Sequence, residues 1–214
     1  MASFFNLTLD TTAPSGLYVK INDDALYTTS AAVTLTIRVS DSSTAGYQMK
    51  VWGINGVASE TAAKWETFAT TKNVTLPSGD GLKTVYVKVR DDVGNETVAV
   101  SDTITLDTTV PVVTISSGPD KTKISTVSGF DTAVFNFTSD TDFAEYEVRI
   151  VPATNSTHEA GTYLVGGSDT NGYPADTNVP ITLTGEQIVG ASANDGVKII
   201  KVFVRNLAGT WSVA

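Results

Sequence analysis

The sequence predicts an all-β chain folded as two tandem antiparallel sandwiches, on three observations. Apolar residues recur at every second position. Val33, Leu35, Ile37 and Val39 alternate with Thr34, Thr36, Arg38 and Ser40, and Val85, Val87 and Val89 alternate with Tyr86, Lys88 and Arg90. That period buries one face of a strand and wets the other. The chain also repeats itself. Leu9-Asp-Thr-Thr-Ala-Pro14 recurs as Leu106-Asp-Thr-Thr-Val-Pro111, Tyr47–Val51 as Tyr146–Ile150, Gly79–Lys83 as Asn194–Lys198, and Val85–Arg90 as Ile200–Arg205. Finally, almost no stretch carries a helical period, and turns such as Asp80-Gly81 and Gly94-Asn95 punctuate the strands at short spacing.

Residues 1–12 form an N-terminal extension. The first domain runs over 13–107, with Val33–Val39, Tyr47–Val51 and Val85–Arg90 as its clearest strands. Residues 108–112 link the domains. Pro111 restricts Val110 to extended backbone, so the link is expected to be stiff and the pair rod-like. The second domain runs over 113–214, with Ala133, Phe135 and Phe137 as an inward face. The repeat offset jumps between Val151 and Asn194, which places an insertion at 152–193. It is rich in Gly, Asn, Thr and Asp and reads as a long loop, functional or disordered, with a single helical turn over Thr184–Gly190.

Leu9-Asp-Thr-Thr-Ala-Pro14 at a domain start, Asp80 to Asn95 through a long alternating strand, and Ile104-Thr-Leu-Asp-Thr-Thr109 at the domain end together carry a resemblance. The chain resembles the bacterial Ig-like tandem domains of tailed-phage virion proteins and bacterial surface adhesins. The match covers the whole first copy. The second is looser, with Asn206 and Leu207 where Asp91 and Asp92 stand. The resemblance implies two tandem Ig-like antiparallel β-sandwich domains with a structural or adhesive role and no catalysis, although fold alone does not settle function.

Aligned on the first copy, the second stops before the strand that copy one forms over Val100–Asp107. Phe4–Thr12 in turn aligns on Ser101–Thr109 and looks like such a strand without a domain. A sandwich lacking a strand has an open core and an exposed edge. The expectation is that Phe4, Phe5, Leu7 and Leu9 form an interface, with Leu7 and Leu9 entering the second domain of a neighbouring subunit as an exchanged strand. The alternatives are local packing on copy one, and a chain cut from a longer one.

The net charge of -9 argues against nucleic acid, which needs a basic footprint. No apolar run is long enough to insert in a membrane. There is no cysteine, which excludes disulfides and thiolate chemistry. The N-terminus lacks the basic and apolar regions of a signal peptide, so folding in a cytoplasm is expected. His158, near Ser156 and Glu159, is the only histidine and reads as a solvated loop residue rather than a catalytic base. No cofactor is expected. If a metal binds, it is calcium on oxygen ligands from Asp91, Asp92, Asn95, Glu96 and Asp107, with Asp23 and Asp24 also near domain ends; the competing reading is ordinary turn chemistry. Trp52 lies on the wet phase of its strand and reads as an interface aromatic. Trp65 and Trp211 read as core. Tyr163 and Tyr173 stand among small polar residues, as in a binding loop.

These readings give a non-enzymatic component of a tailed-phage virion, decorating the capsid or attached to the tail or baseplate. Other virion proteins, further copies of itself and host-surface glycans are the expected partners. The alternatives are the stalk of a surface or biofilm adhesin and a carbohydrate-binding accessory module.

Overall fold

The computed structural model describes residues 5–213, and the chain divides into two compact units at Asp107/Thr108. In the first, alternating segments form β1 (Tyr18–Ile21), β2 (Tyr27–Thr28), β3 (Ala32–Arg38), β4 (Gln48–Trp52), β5 (Glu66–Thr67), β6 (Thr71–Thr75), β7 (Gly81–Arg90) and β8 (Val100–Leu106). They assemble as two sheets, β1-β3-β6 and β2-β8-β7-β4-β5. Val33, Leu35 and Ile37 of one sheet meet Met49, Val85, Val87, Val89 and Ile104 of the other in a single buried core. The period-two pattern is therefore read out directly: in β3 the buried positions are Val33, Leu35 and Ile37 and the intervening ones are wetter.

The second unit contains β9 (Val113–Ser117), β10 (Thr132–Ser139), β11 (Phe143–Val151), β12 (Thr162–Tyr173), β13 (Val179–Thr184), α1 (Gly185–Ala191) and β14 (Ile199–Asn206). Its sheets are β13-β10-β9 and β12-β11-β14, packed around Phe135, Phe137, Phe143, Val148, Ile181, Leu183, Val202 and Val204. The chain is thus all-β, two tandem Ig-like antiparallel sandwiches, with one short helix. β9, β10, β13, β11 and β14 stand where β1, β3, β6, β4 and β7 stand in the first unit.

Three expectations are corrected. The segment 152–193 is not a long loop: most of it is β12, β13 and α1. The repeat match of Tyr47–Val51 on Tyr146–Ile150 is two residues out of register, because Val51 pairs Val87 while Val148 pairs Val202. A slip of two leaves every side chain on its own face, so the sequence pattern is blind to it. Trp52 is not an exposed aromatic. It is 8% exposed and stacks on its cross-strand partner Tyr86 at 5.4 Å. The segment after β4 returns over this outer face, burying Ala63 and bringing Glu60 to Lys88.

Candidate interaction surfaces

The turn after β7 recurs after β14 bond for bond. Asp91 N–H donates to the Asn95 carbonyl and Asn206 N–H to the Thr210 carbonyl. The Thr97 and Ser212 hydroxyls accept from Val89 N–H and Val204 N–H. Asp91 is buried; its Oδ1 accepts from Val93 N–H (3.0 Å) and Asn95 N–H (2.8 Å), and its Oδ2 from Asn95 Nδ2 (2.7 Å). Burial pushes this carboxyl upward, but the hydrogen bonds from the Asn95 side chain and from the backbone of Asn95, Val93 and Gly94 outweigh it. The group is held below the ordinary carboxylate range. In the second unit an amide takes the place of the carboxylate, and Asn206 Oδ1 accepts from Thr210 N–H at 2.7 Å.

Of the calcium candidates, the fold thus brings Asp91 and Asn95 together and spends them on each other. Glu96 instead pairs with Lys88 at 2.7 Å, which holds its carboxyl below the usual range. Asp92 is exposed. Asp107 follows β8 at the opposite end of the unit, where its N–H donates to the Thr28 carbonyl. Asp24 pairs with Lys20, and Asp23 accepts from the Thr36 hydroxyl. Among the described residues no three acidic or histidine side chains gather in a metal-binding group.

His158 is not a solvated loop residue. Its ring lies 3.6 Å from the Trp211 ring, nearly parallel, and packs perpendicular to the Phe203 ring at 5.6 Å. Nε2 bonds Glu147 Oε2 at 2.9 Å, and Arg149 Nε reaches the same oxygen at 2.6 Å. Burial raises the Glu147 carboxyl, and the Arg149 and His158 bonds bring it below its ordinary value. The Ser156 hydroxyl accepts from Ala153 N–H rather than from His158. Lys201, whose ammonium is depressed by burial, donates to the Ser156 carbonyl at 2.9 Å. The cluster pins residues 152–161 onto the outer face of β11 and β14. Trp211 belongs to it and not to the sandwich interior, and Trp65 likewise sits outside, beneath Arg90 (4.4 Å) and Lys50 (4.9 Å). Sequence reasoning missed this cluster because its members come from β11, β14 and two loops that lie far apart in the chain. The available signal was Phe203, an aromatic on the wet phase of β14.

The two tyrosines of the insertion part company. Tyr173 stacks on Phe143 at 4.8 Å and joins the core, so it is not a loop aromatic. Tyr163 is half exposed beside a polar recess lined by Glu145, Glu147, Gly166, Gly167 and Ser168. A Cβ on Gly167 would stand 2.7 Å from the Tyr146 ring, so glycine is needed there.

The last surface is an open seam. In the first unit β7 lies between β4 and β8, and β8 faces β1, where Asp102 Oδ2 accepts from Ile21 N–H at 2.6 Å. In the second unit β14 has β11 on one side and, among the described residues, no strand on the other. The space is a groove of about 930 Å³ between β9 and β14, floored by Ile115, Ala133, Phe135, Leu183, Ile200 and Val202. Val19 of β1 is 6% exposed, while Ile115, at the same position of β9, is 50% exposed. At the other end of the chain Phe5, Leu7 and Leu9 are 85–86% exposed and belong to no strand, so the alternative of local packing on the first unit does not hold. Phe4 lies outside the described residues.

No family model matches the chain, and no curated protein matches it. Solved structures do match. The chain is similar to the fibronectin(III)-like modules of CbhA from Clostridium thermocellum, at 10% identity over 92% of this chain and 90% of that one, TM-score 0.47. It is similar to the chitinase ChiA74 of Bacillus thuringiensis at 13% identity, covering 92% of this chain and 30% of that one, TM-score 0.32. It is also similar to the BSP domain of a biofilm-associated protein at 14% identity, covering 91% and 27%, TM-score 0.27. At such identities the likeness is one of fold alone, and the chain spans less than a third of the last two.

Proposed function

We propose that this chain is a non-enzymatic structural module, a tandem of Ig-like domains built into a surface assembly, and that the assembly is a tailed-phage virion. One observation carries the reading. The polar constellations best suited to chemistry, Asp91 with Asn95 and His158 with Glu147 and Arg149, are consumed in fixing turns and loops onto the sheets. Such sites stiffen a scaffold. The acidic charge and the Ig-like resemblance support a role in decorating a capsid or attaching to a tail or baseplate, with other virion proteins as partners.

The experiment is fractionation of a culture that produces the protein. It is expected to stay with purified tailed particles through density-gradient centrifugation and to be labelled on them by antibody. Recovery in the cell-envelope fraction would favour the adhesin stalk instead.

A second reading has its own observation. The half-exposed Tyr163 ring beside a polar recess that holds Ser168 and the Arg205-paired Glu145 matches how a sugar is held, by stacking plus hydrogen bonds. Glycan-array binding that is lost in Tyr163→Ala would support it, and no binding to any glycan would end it.

A further inference from the structure

We infer that residues 5–9 of one copy fill the open seam of the second domain of another copy, as an added β-strand beside residues 196–200, where the chain enters β14. This goes beyond the structural role proposed above and does not depend on the virion setting.

The first unit supplies the template. Its β8 pairs antiparallel with β7 in the register Leu106↔Gly81, Thr105↔Leu82, Ile104↔Lys83 and Asp102↔Val85. The recurring turn fixes how β7 maps on β14, since Val89, Asp91 and Thr97 find their counterparts in Val204, Asn206 and Ser212. The repeated Leu-Asp-Thr-Thr segment fixes how β8 maps on the arm, Leu106 on Leu9 and Ile104 on Leu7. Combining the two sets Leu9 opposite Gly196, Thr8 opposite Val197, Leu7 opposite Lys198 and Phe5 opposite Ile200. Ile104 and Leu106 are buried in the first core. Leu7 and Leu9 would take those places in the second, over Ile115, Phe135 and Val202, and Phe5 would take that of Asp102.

The exposures agree on both sides. The arm presents three large apolar side chains to water, and the groove presents Ile115 and Val189. Joining them removes apolar area from water and gives a pairing partner to Ile200 and to the residues that lead into β14, while Val204 and Asn206 already bond the Thr210–Ser212 turn. An unpaired edge over an open core is the setting in which strand addition occurs.

A second copy, rather than the same chain, is favoured by where the arm is rooted. Asn95 Nδ2 donates to the Asp10 carbonyl, which ties the arm to the turn after β7. The chain leaves for the second unit after Leu106, beside Gly81 at the other end of β7. A strand of that length spans roughly 30 Å, and Leu9 is one residue from its anchor. Such a contact joins unlike surfaces and repeats from copy to copy, giving a ring or an open filament.

Engineered cysteines read the register cleanly, because the native chain has none. Thr8 and Val197 are both exposed, Val197 at 97%, so neither substitution touches a core. Mixing the full chain carrying Thr8→Cys with the chain carrying Val197→Cys is expected to give a disulfide-linked heterodimer under mild oxidation. The double variant Leu7→Asp/Leu9→Asp is expected to be monomeric by light scattering at concentrations where the unaltered chain associates. A peptide of residues 3–12 should bind that variant, and the same peptide carrying Leu7→Asp should bind about tenfold or more weakly, because a carboxylate would be buried without a partner. Three results would overturn the inference: a chain that stays monomeric at every concentration, association untouched by the aspartates, or a Thr8→Cys/Val197→Cys chain that closes its disulfide within one monomer.

Discussion

Asp91 and Asn206 hold equivalent turns with different chemistry, one charged and one neutral. Asp91→Asn is therefore expected to keep the fold, and Asp91→Ala to lower Tm at neutral pH by orphaning the N–H groups of Val93 and Asn95. The two also differ in acid. A carboxyl held lower in the folded than in the unfolded chain stabilises above the ordinary carboxylate range, and that contribution fades as pH falls through it. Thermal melts from pH 7 downward should thus show a shallower acid loss in Asp91→Asn than in the unaltered protein; parallel curves would contradict this. Because the turn's own donors occupy Asp91 and Lys88 occupies Glu96, chelator should leave Tm unchanged, and a drop would reinstate a calcium site. At this scale the sequence was legible where a residue acts on its neighbours, as Asp91 and Asn95 do in turn chemistry. It was illegible where the partners lie in distant segments. Trp52 sits on the wet phase of β4 and is buried only because a later segment folds back over it, and His158 owes its shelter to Trp211, more than fifty residues on.

Among the elements, α1 was visible as a single turn because its start carries its own cap. Thr184 Oγ1 accepts from Gln187 N–H at 3.2 Å, and Gln187 Oε1 accepts from Thr184 N–H at 2.8 Å, a reciprocal capping box. Thr184→Ala should cost about 1 kcal/mol, read by denaturant melts of the full chain. Gly185→Ala should cost more. Its Cβ would overlap the Ser125 carbonyl oxygen, so the segment around Ser125 or the helix must move. An equal effect of the two would mean that the close approach is not retained in solution. β3, β4 and β7 of the first domain were legible through alternation, which survives wherever one face is buried. β12 was not. It contains Gly166, Gly167 and Gly172 and lacks that contrast, so composition pointed to a loop. Pairing with β11 decides its conformation.

In the whole molecule, duplication is the organising fact, and among the described residues the copies differ at one edge. The first encloses its core with β8; the second has no strand at the corresponding place beside β14. Each unit has its own apolar core, so a truncation in one should spare the other. Phe137→Ala is expected to cost about 3–5 kcal/mol in the second domain, shifting one of two thermal transitions, and a shift of both would mean that the units unfold together. The open seam is probed most closely by amide hydrogen exchange along β14 in the full-length Leu7→Asp/Leu9→Asp variant, with and without a peptide of residues 3–12. The Ile200 and Val202 amides, which share the outward parity of Val204, are expected to exchange much faster than those of β7 and to become protected when the peptide is added. Protection of β14 equal to that of β7 before any peptide is added would contradict an open seam, because the chain would then already cover its own edge.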